Sequence, residues 1–424
     1  MVSFVLRQYG AIRQCGWPVF FRKAKYVLQA LFGLPLALLF FLIMRTLRPW
    51  ILIRLNPLDG SRVGHLAGMV EIYLCERDAG INVPWQRHLD LCYFIGNILA
   101  NQQLATMWGR QLRIWPAWLL GPVFRLNRLC RGGLIHEVGE NTHYDRDVHN
   151  LYERMPPHLS FTPEEESRGK AGLRAMGIPD GAEFICLLAR DSAYLDAVLP
   201  GKWDYHSYRD VDIKNYILMA EALADSGYFV IRMGSIVRAP INSCHPKVID
   251  YAVNGMRSDF MDVYLGGNCM FCISCSAGFD AVPIIFRRPI AYVNMVPIGC
   301  LPTYLKDSLG IFKKHWLVSE QRFLSLGEIF RLEVAFCGRA SEYEAQGVEV
   351  IENTPEEIKS LAIEMIERLR GGWRPGVEDE VLQRRFWDIY LGCIRDARMV
   401  LPFHGKVRAR FGAQFLRDNR EWLE

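Results

Sequence analysis

The feature that most restricts how this chain can fold is an alternation. Between Thr162 and Leu369, short continuous apolar runs alternate with stretches whose apolar residues recur at helical spacing. Thr162-Pro163-Glu164-Glu165 supplies an N-cap, a proline at the first helical position and acids in the first turn, and this helix should stop near Gly177. Phe184 to Ala189 reads as a buried strand ending at Arg190-Asp191. A helix starting near Asp212 carries Tyr216, Ile217, Ala220, Leu223 and Ala224 on one face and stops at Gly227. Strands follow at 228–231, 248–251, 270–274, 290–293 and 348–351, with helices at 260–265, after Ser276-Ala277-Gly278, and at 355–369 behind the Thr354 cap. This is the pattern of an α/β fold with a parallel sheet, in which ligands bind beyond the carboxyl ends of the strands.

Upstream, Ile51 to Leu55 reads as a strand. Gly60-Ser61-Arg62-Val63-Gly64-His65 is a glycine loop, and Leu66, Met69, Val70 and Tyr73 open a helix. His88 to Phe94 reads as a second strand, whereas the Trp- and Arg-rich stretch 104–130 resists assignment. Pro156-Pro157 marks a boundary. The expected organisation is a basic, hydrophobic segment over 1–48, an α/β domain over 49–157, a second α/β domain over 158–375, and a helical extension over 376–424.

Charge separates the head from the body. Residues 1–58 hold eight basic residues and no acid, which leaves the remaining 366 residues at −4 although the whole chain is +4. A nucleic-acid binder would carry its excess on the folded body, so nucleic acid is not expected as a partner. Tyr26 to Met44 is uncharged, with Gln29 its one polar side chain. As a helix it would be ~28 Å long against a bilayer core of ~30 Å. Basic residues flank it on both sides, and Gly33 and Pro35 interrupt it, so a single span and a re-entrant or interfacial anchor both fit. Membrane attachment through residues 17–50 is expected, with the body on the cytoplasmic side.

The cysteines sit in apolar runs, as small core residues of a reduced protein do. Cys269-x2-Cys272-x2-Cys275 has an iron–sulfur-like spacing, but a strand would point its members to opposite faces. His143 to His149 alternates imidazoles and carboxylates and is better read as a solvated loop than as a zinc site. Asp210-Val211-Asp212 offers two carboxylates, although Asp is a routine cap before a helix. No cofactor is expected, and a divalent metal is not favoured.

The strand ends carry the functional signal. Arg190 and Asp191 follow one strand, Arg232 and Gly234 another, and Ser274, Ser276 and Gly278 a third. Arginine forks and a strand-to-helix turn with free N–H groups suit a diphosphate. G-x-x-x-x-G-K-[ST] and G-x-G-x-x-G are both absent from the sequence.

With these residues in view, the chain resembles a GT-B-like family of bacterial glycosyltransferases encoded with surface-polysaccharide genes. The likeness rests on Leu188-Ala189-Arg190-Asp191-Ser192-Ala193-Tyr194-Leu195, on Tyr208-Arg209-Asp210-Val211-Asp212-Ile213-Lys214-Asn215-Tyr216, and on Gly227 to Gly234. Arg257 to Asp262, Ser276 to Phe279, Gly64-His65 and Glu352 to Ile358 extend it, so that it covers roughly residues 50–375. Leu187 or Leu188 stands where members often have a histidine.

The resemblance implies two Rossmann-like domains of GT-B type with parallel sheets, after the hydrophobic segment. It also implies transfer of a sugar from a nucleotide diphosphate sugar to a glycan acceptor, lipid-linked if the membrane segment is relevant. Arg190, Arg232, Gly234 and the Ser276–Gly278 turn would hold the diphosphate, with Gly64, Arg209, Asn215, Ser258 and Asp259 as further donor contacts. His65 is the first candidate for the base that takes the acceptor proton, and Asp191 and Asp212 come next. Two rivals remain: another nucleotide-binding enzyme on the same sheet edge, such as a phosphotransferase or epimerase, and a non-catalytic membrane-associated scaffold, which would need no convergence of arginines.

Overall fold

The computed structural model describes residues 33–96, 98–139, 146–198, 204–300, 305–396 and 406–424. The chain forms two compact units. One draws on residues up to Arg62, on Gly80–Ala100 and on Trp108–Asn141; the other takes Val63–Ala79, Asn101–Met107 and everything from Thr142 onward. The division therefore does not fall at residue 157. His65 and its helix belong to the larger unit.

In the smaller unit, β1 (Leu52–Asp59) and β2 (His88–Ile95) run parallel in an eight-residue ladder, with single bridges to Glu137 and Ile114 outside them. Among the described residues this sheet has two strands, where a full Rossmann-like domain was expected. Arg54 crosses the ladder to Asp90 with both side chains buried, and it also donates to the Asn82 carbonyl. Residues 33–46 form a helix whose Ala37 and Met44 pack into the core with Ile53, Leu55 and Val123. The rest of the expected membrane tract, 26–32, lies outside the described residues. Among the described residues, no helix is long and apolar enough to cross a membrane. The unassigned stretch 104–130 contains two helices, Gln102–Gln111 and Ala117–Arg128.

The larger unit holds a seven-stranded sheet. Its strands are β3 (Phe184–Leu188), β4 (Phe229–Arg232), β5 (Val248–Ile249), β6 (Cys272–Ser274), β7 (Ile290–Met295), β8 (Leu309–Phe312) and, much later, β12 (Arg410–Phe411). Every pairing is parallel, in the order β12-β8-β7-β6-β3-β4-β5. β3, β6 and β7 are buried at every residue, as strands covered on both faces must be. The helix Pro163–Ala175 begins with the expected capping box between Thr162 and Glu165, and Thr354 with Glu357 does the same for Pro355–Leu369.

Two expectations need correction. Val348–Ile351 (β11) does not join the parallel sheet. With β9 (Lys314–Leu317) and β10 (Arg322–Phe323) it forms a separate antiparallel ribbon. Residues 376–424 are more than a helical extension, since β12 adds an outer strand to the main sheet beside β8. Phe386, on the helix Asp379–Asp396, stacks on Phe411 at 4.2 Å, and Phe411 meets Phe312 at 5.1 Å, which ties this region into the core.

Candidate functional site

The sheet grows outward from β3 through β4 to β5, and the chain then reverses to build β6, β7 and β8 on the other side. The reversal lies between β3 and β6, where open parallel sheets leave a crevice beyond the strand ends. The segments that leave these two strands are Ala189-Arg190-Asp191 and Cys275-Ser276-Ala277-Gly278.

The second segment is a strained turn. Ser276 sits at φ 61°, a left-handed conformation uncommon for a residue with a side chain. Asp280 holds it: Ser274 Oγ donates to one carboxylate oxygen and the Ala277 N–H donates to the other at 3.0 Å. Burial pushes the Asp280 carboxyl up to about 7. A helical turn then begins at Gly278. Gly64 lies against this turn, for a Cβ at Gly64 would stand 3.2 Å from the Gly278 oxygen and 3.3 Å from its Cα. The helix over 63–78 thus starts beside the crevice, with His65 in a π-turn over His65–Met69.

Three cations gather here. Arg190 bonds the Asp210 carboxylate at 2.5 Å and the His206 carbonyl at 3.3 Å, while its own N–H donates to Cys275 Sγ at 3.1 Å. Burial and then the neighbouring Arg209 pull the Arg190 pKa down. Arg209 donates to the Ser276 carbonyl, and its buried Nε has no hydrogen-bond partner among the described residues. Lys313, just past β8, is 3% exposed and donates from Nζ to the Asp210 carbonyl at 2.6 Å. Its pKa is lowered by burial. Beside them a cavity of about 200 Å³ is lined by Arg209, Ser276, Met295, Pro297, Cys300 and Phe312.

Several expected site residues have other work. Arg232 is 1% exposed on β4 and pairs with Asp250 at 3.3 Å, beneath the strand end. A Cβ on Gly234 would strike the Val237 side chain at 2.6 Å, so that glycine leaves room for Val237. Asp191 accepts from the Ala193 and Arg238 N–H groups at 3.0 and 2.9 Å and so fixes its own loop. Asp212 is exposed and caps its helix through the Lys214 N–H. Asn215 binds Glu352 at 3.0 Å, and the same carboxylate accepts the Asp212 N–H. Ser258 caps the helix Asp259–Asn268, and Asp259 accepts from the Gln102 N–H at 2.8 Å. The geometry therefore brings together Gly64, His65, Arg190, Arg209, Ser276 and Gly278, and it adds Lys313 and Asp280. Neither addition was singled out from the sequence. The signal available for Lys313 was a lysine directly after an apolar run, and for Asp280 an acid at the third position of a helix start.

Metal-like clusters resolve into structure. Cys269, Cys272 and Cys275 are buried, and burial holds the Cys272 and Cys275 thiols well above their usual range, with Cys275 at about 11. His143 lies outside the described residues, and Asp147 caps the Leu151 and Tyr152 N–H groups at 2.7 and 2.9 Å. Glu71, Cys75 and His158 bring donor atoms within 4.8 Å of one another. Arg287 fills that place, 2.7 Å from Glu71 and 3.7 Å from the Cys75 sulfur, and burial keeps the thiol neutral at about 12.

No protein-family model matches the chain, and no curated protein matches it. Among solved structures it is similar to a glycosyl transferase of family 9 from Veillonella parvula, at 10% identity and a TM-score of 0.42, over 75% of this chain and 98% of that one. It is also similar to the E. coli ADP-heptose lps heptosyltransferase II, at 11% identity and a TM-score of 0.32, over 61% of this chain and 90% of that one. A third is an E. coli heptosyltransferase with ADP, at 11% identity and a TM-score of 0.30, over 62% of this chain and 91% of that one.

Proposed function

We propose that the protein is a glycosyltransferase that moves a sugar from a nucleotide diphosphate sugar to a glycan acceptor in cell-surface polysaccharide synthesis. The observation that carries the reading is the convergence of Arg190, Arg209 and Lys313 with the left-handed Ser276 turn at the point where the strand order reverses. A diphosphate leaving group needs oriented positive charge in a partly dry site, and a crevice at a switch point is where parallel sheets provide it. In the reaction the anomeric carbon breaks its bond to the diphosphate oxygen, which leaves with the electron pair, and bonds to the acceptor oxygen. The acceptor proton goes to a base, and His65 is the candidate because its helix begins against Gly278. Arg209 fits the diphosphate best, since its buried Nε still lacks an acceptor. The apolar, basic amino-terminal tract supports a lipid-linked acceptor and a place on the cytoplasmic face of a bacterial inner membrane.

The test is a calorimetric screen of nucleoside diphosphates and their sugar conjugates, followed by measurement of free nucleoside diphosphate released when a glycan acceptor is added. Binding that Arg209→Ala weakens about tenfold or more, together with acceptor-dependent release, is expected. Transfer of a phosphoryl group, or no binding of any conjugate, would refute the reading.

A further inference from the structure

The smaller unit presents a surface that its own core does not explain. The 33–46 helix buries Ala37 and Met44, while Leu34, Leu38 and Leu42 on another face are 58, 48 and 51% exposed. Exposed aromatic and apolar residues from three other segments adjoin it. At its start, a Cβ on Gly33 would lie 3.3 Å from the Trp118 ring, and the Trp115 ring is 5.9 Å from Phe40. At its end, Arg45 donates to the Arg131 carbonyl at 3.0 Å, which sets Leu129 (84% exposed) and Leu134 (78%) close by. Gln86 donates to the Arg48 carbonyl just past this helix, and its neighbour Trp85 is fully exposed.

Charge decides what such a face meets. The described part of this unit has ten arginines and three acids, Asp59, Asp90 and Glu137. Asp90 is neutralised by Arg54, and Glu137 by Arg128. A second copy would bring the same cations against these, and a neutral apolar partner would leave them unmatched. The described part of this helix packs along the β1 and β2 strands, with Ala37 and Met44 against Ile53, Leu55, Leu91 and Tyr93.

We infer that this face docks the smaller unit onto an anionic phospholipid monolayer, with leucines and tryptophans at the headgroup–acyl boundary and arginines among the lipid phosphates. The occupant is a lipid surface, and the docking site extends well past residue 50, to Trp85, Trp115, Trp118 and the 129–135 loop. This inference does not depend on the sugar-transfer reading, and its test involves no turnover.

The test uses the full chain with vesicles of phosphatidylglycerol or of phosphatidylcholine. Hydrogen exchange should slow at residues 83–88 and 126–136 on phosphatidylglycerol vesicles only, and added salt should reverse it. Leu129→Glu with Leu134→Glu, two exposed positions whose change leaves the core intact, should weaken partitioning about tenfold or more. Protection confined to residues before 47, or binding indifferent to the double substitution, would limit attachment to the amino-terminal tract and overturn the proposal. The same protection in vesicle-free solution with a doubled particle mass would assign the face to a protein interface instead.

Discussion

Replacing Asp280 by asparagine should change stability in a way that depends on pH, and the sign follows from where the carboxyl sits. The group is buried, and burial raises its pKa from 3.8 to about 7. A raised acid contributes stability that is fully present below about 3.8, where folded and unfolded chains are both protonated, and that is lost as pH climbs through about 7. At ~1.4 kcal/mol per unit, the folded state gives up about 4 kcal/mol across that window. The substituted amide would keep the shape and the acceptor for the Ala277 N–H, and its NH₂ would donate to Ser274 Oγ in place of the present bond. Wild type and D280N should therefore unfold alike at pH 4, within ~1 kcal/mol, whereas at pH 8 the variant should be the more stable by up to about 4 kcal/mol. Urea unfolding followed by tryptophan fluorescence at both pH values measures this. Other groups also titrate in the range, Asp262 among them at about 6, but they cancel in the comparison of the two proteins. A variant that is less stable than wild type at pH 8, or equally displaced at both pH values, would show that the carboxylate is ionised and needed where it stands.

Arg190→Lys keeps the charge but loses the fork, so donor affinity measured by calorimetry should fall about tenfold in a folded protein, and unchanged binding would remove Arg190 from the site. Lys313→Met takes a poorly hydrated charge out of the interior, so donor affinity should fall while the melting temperature holds or rises. Loss of stability without loss of affinity would make Lys313 a purely structural residue. His65→Ala should reduce kcat by ~10²–10⁴ with donor binding nearly untouched, because proton transfer acts in the transition state. Turnover per folded molecule that stays near wild type would exclude His65 as the base.

The parallel core was legible because its strands are continuous apolar runs and its helices announce their own starts. Thr162 and Thr354 cap as sequence reading requires, and Gly227 ends its helix at φ 103°. Short strands were less visible. β8 leads directly into Lys313-Lys314-His315, which reads as polar loop, and β12 is two residues long. The outer position of β12 depends on partners about a hundred residues away that no local pattern encodes. The site was half legible for a related reason. Sequence shows that an arginine stands at a strand end but not how deep it lies: Arg190 and Arg232 each pair with an aspartate, yet Arg232 is buried within β4 whereas Arg190 lies past the end of β3 beside Arg209. Lys313 escaped notice because lysine is ordinarily a surface residue, and burial is a property of the assembled fold.

The lateness of β12 has a consequence for synthesis. β8 already has β7 on one side when Gly310 is made, but its other edge pairs with Arg410 and Phe411, which at ~5–20 residues per second emerge roughly 5–20 s later. Until then the growing chain exposes an unpaired parallel edge, together with Phe312 and Phe386, which Phe411 later covers. An exposed apolar edge of this kind is a template for pairing with another nascent chain. The interval between β8 and β12 is therefore a window in which this edge can pair with another nascent chain.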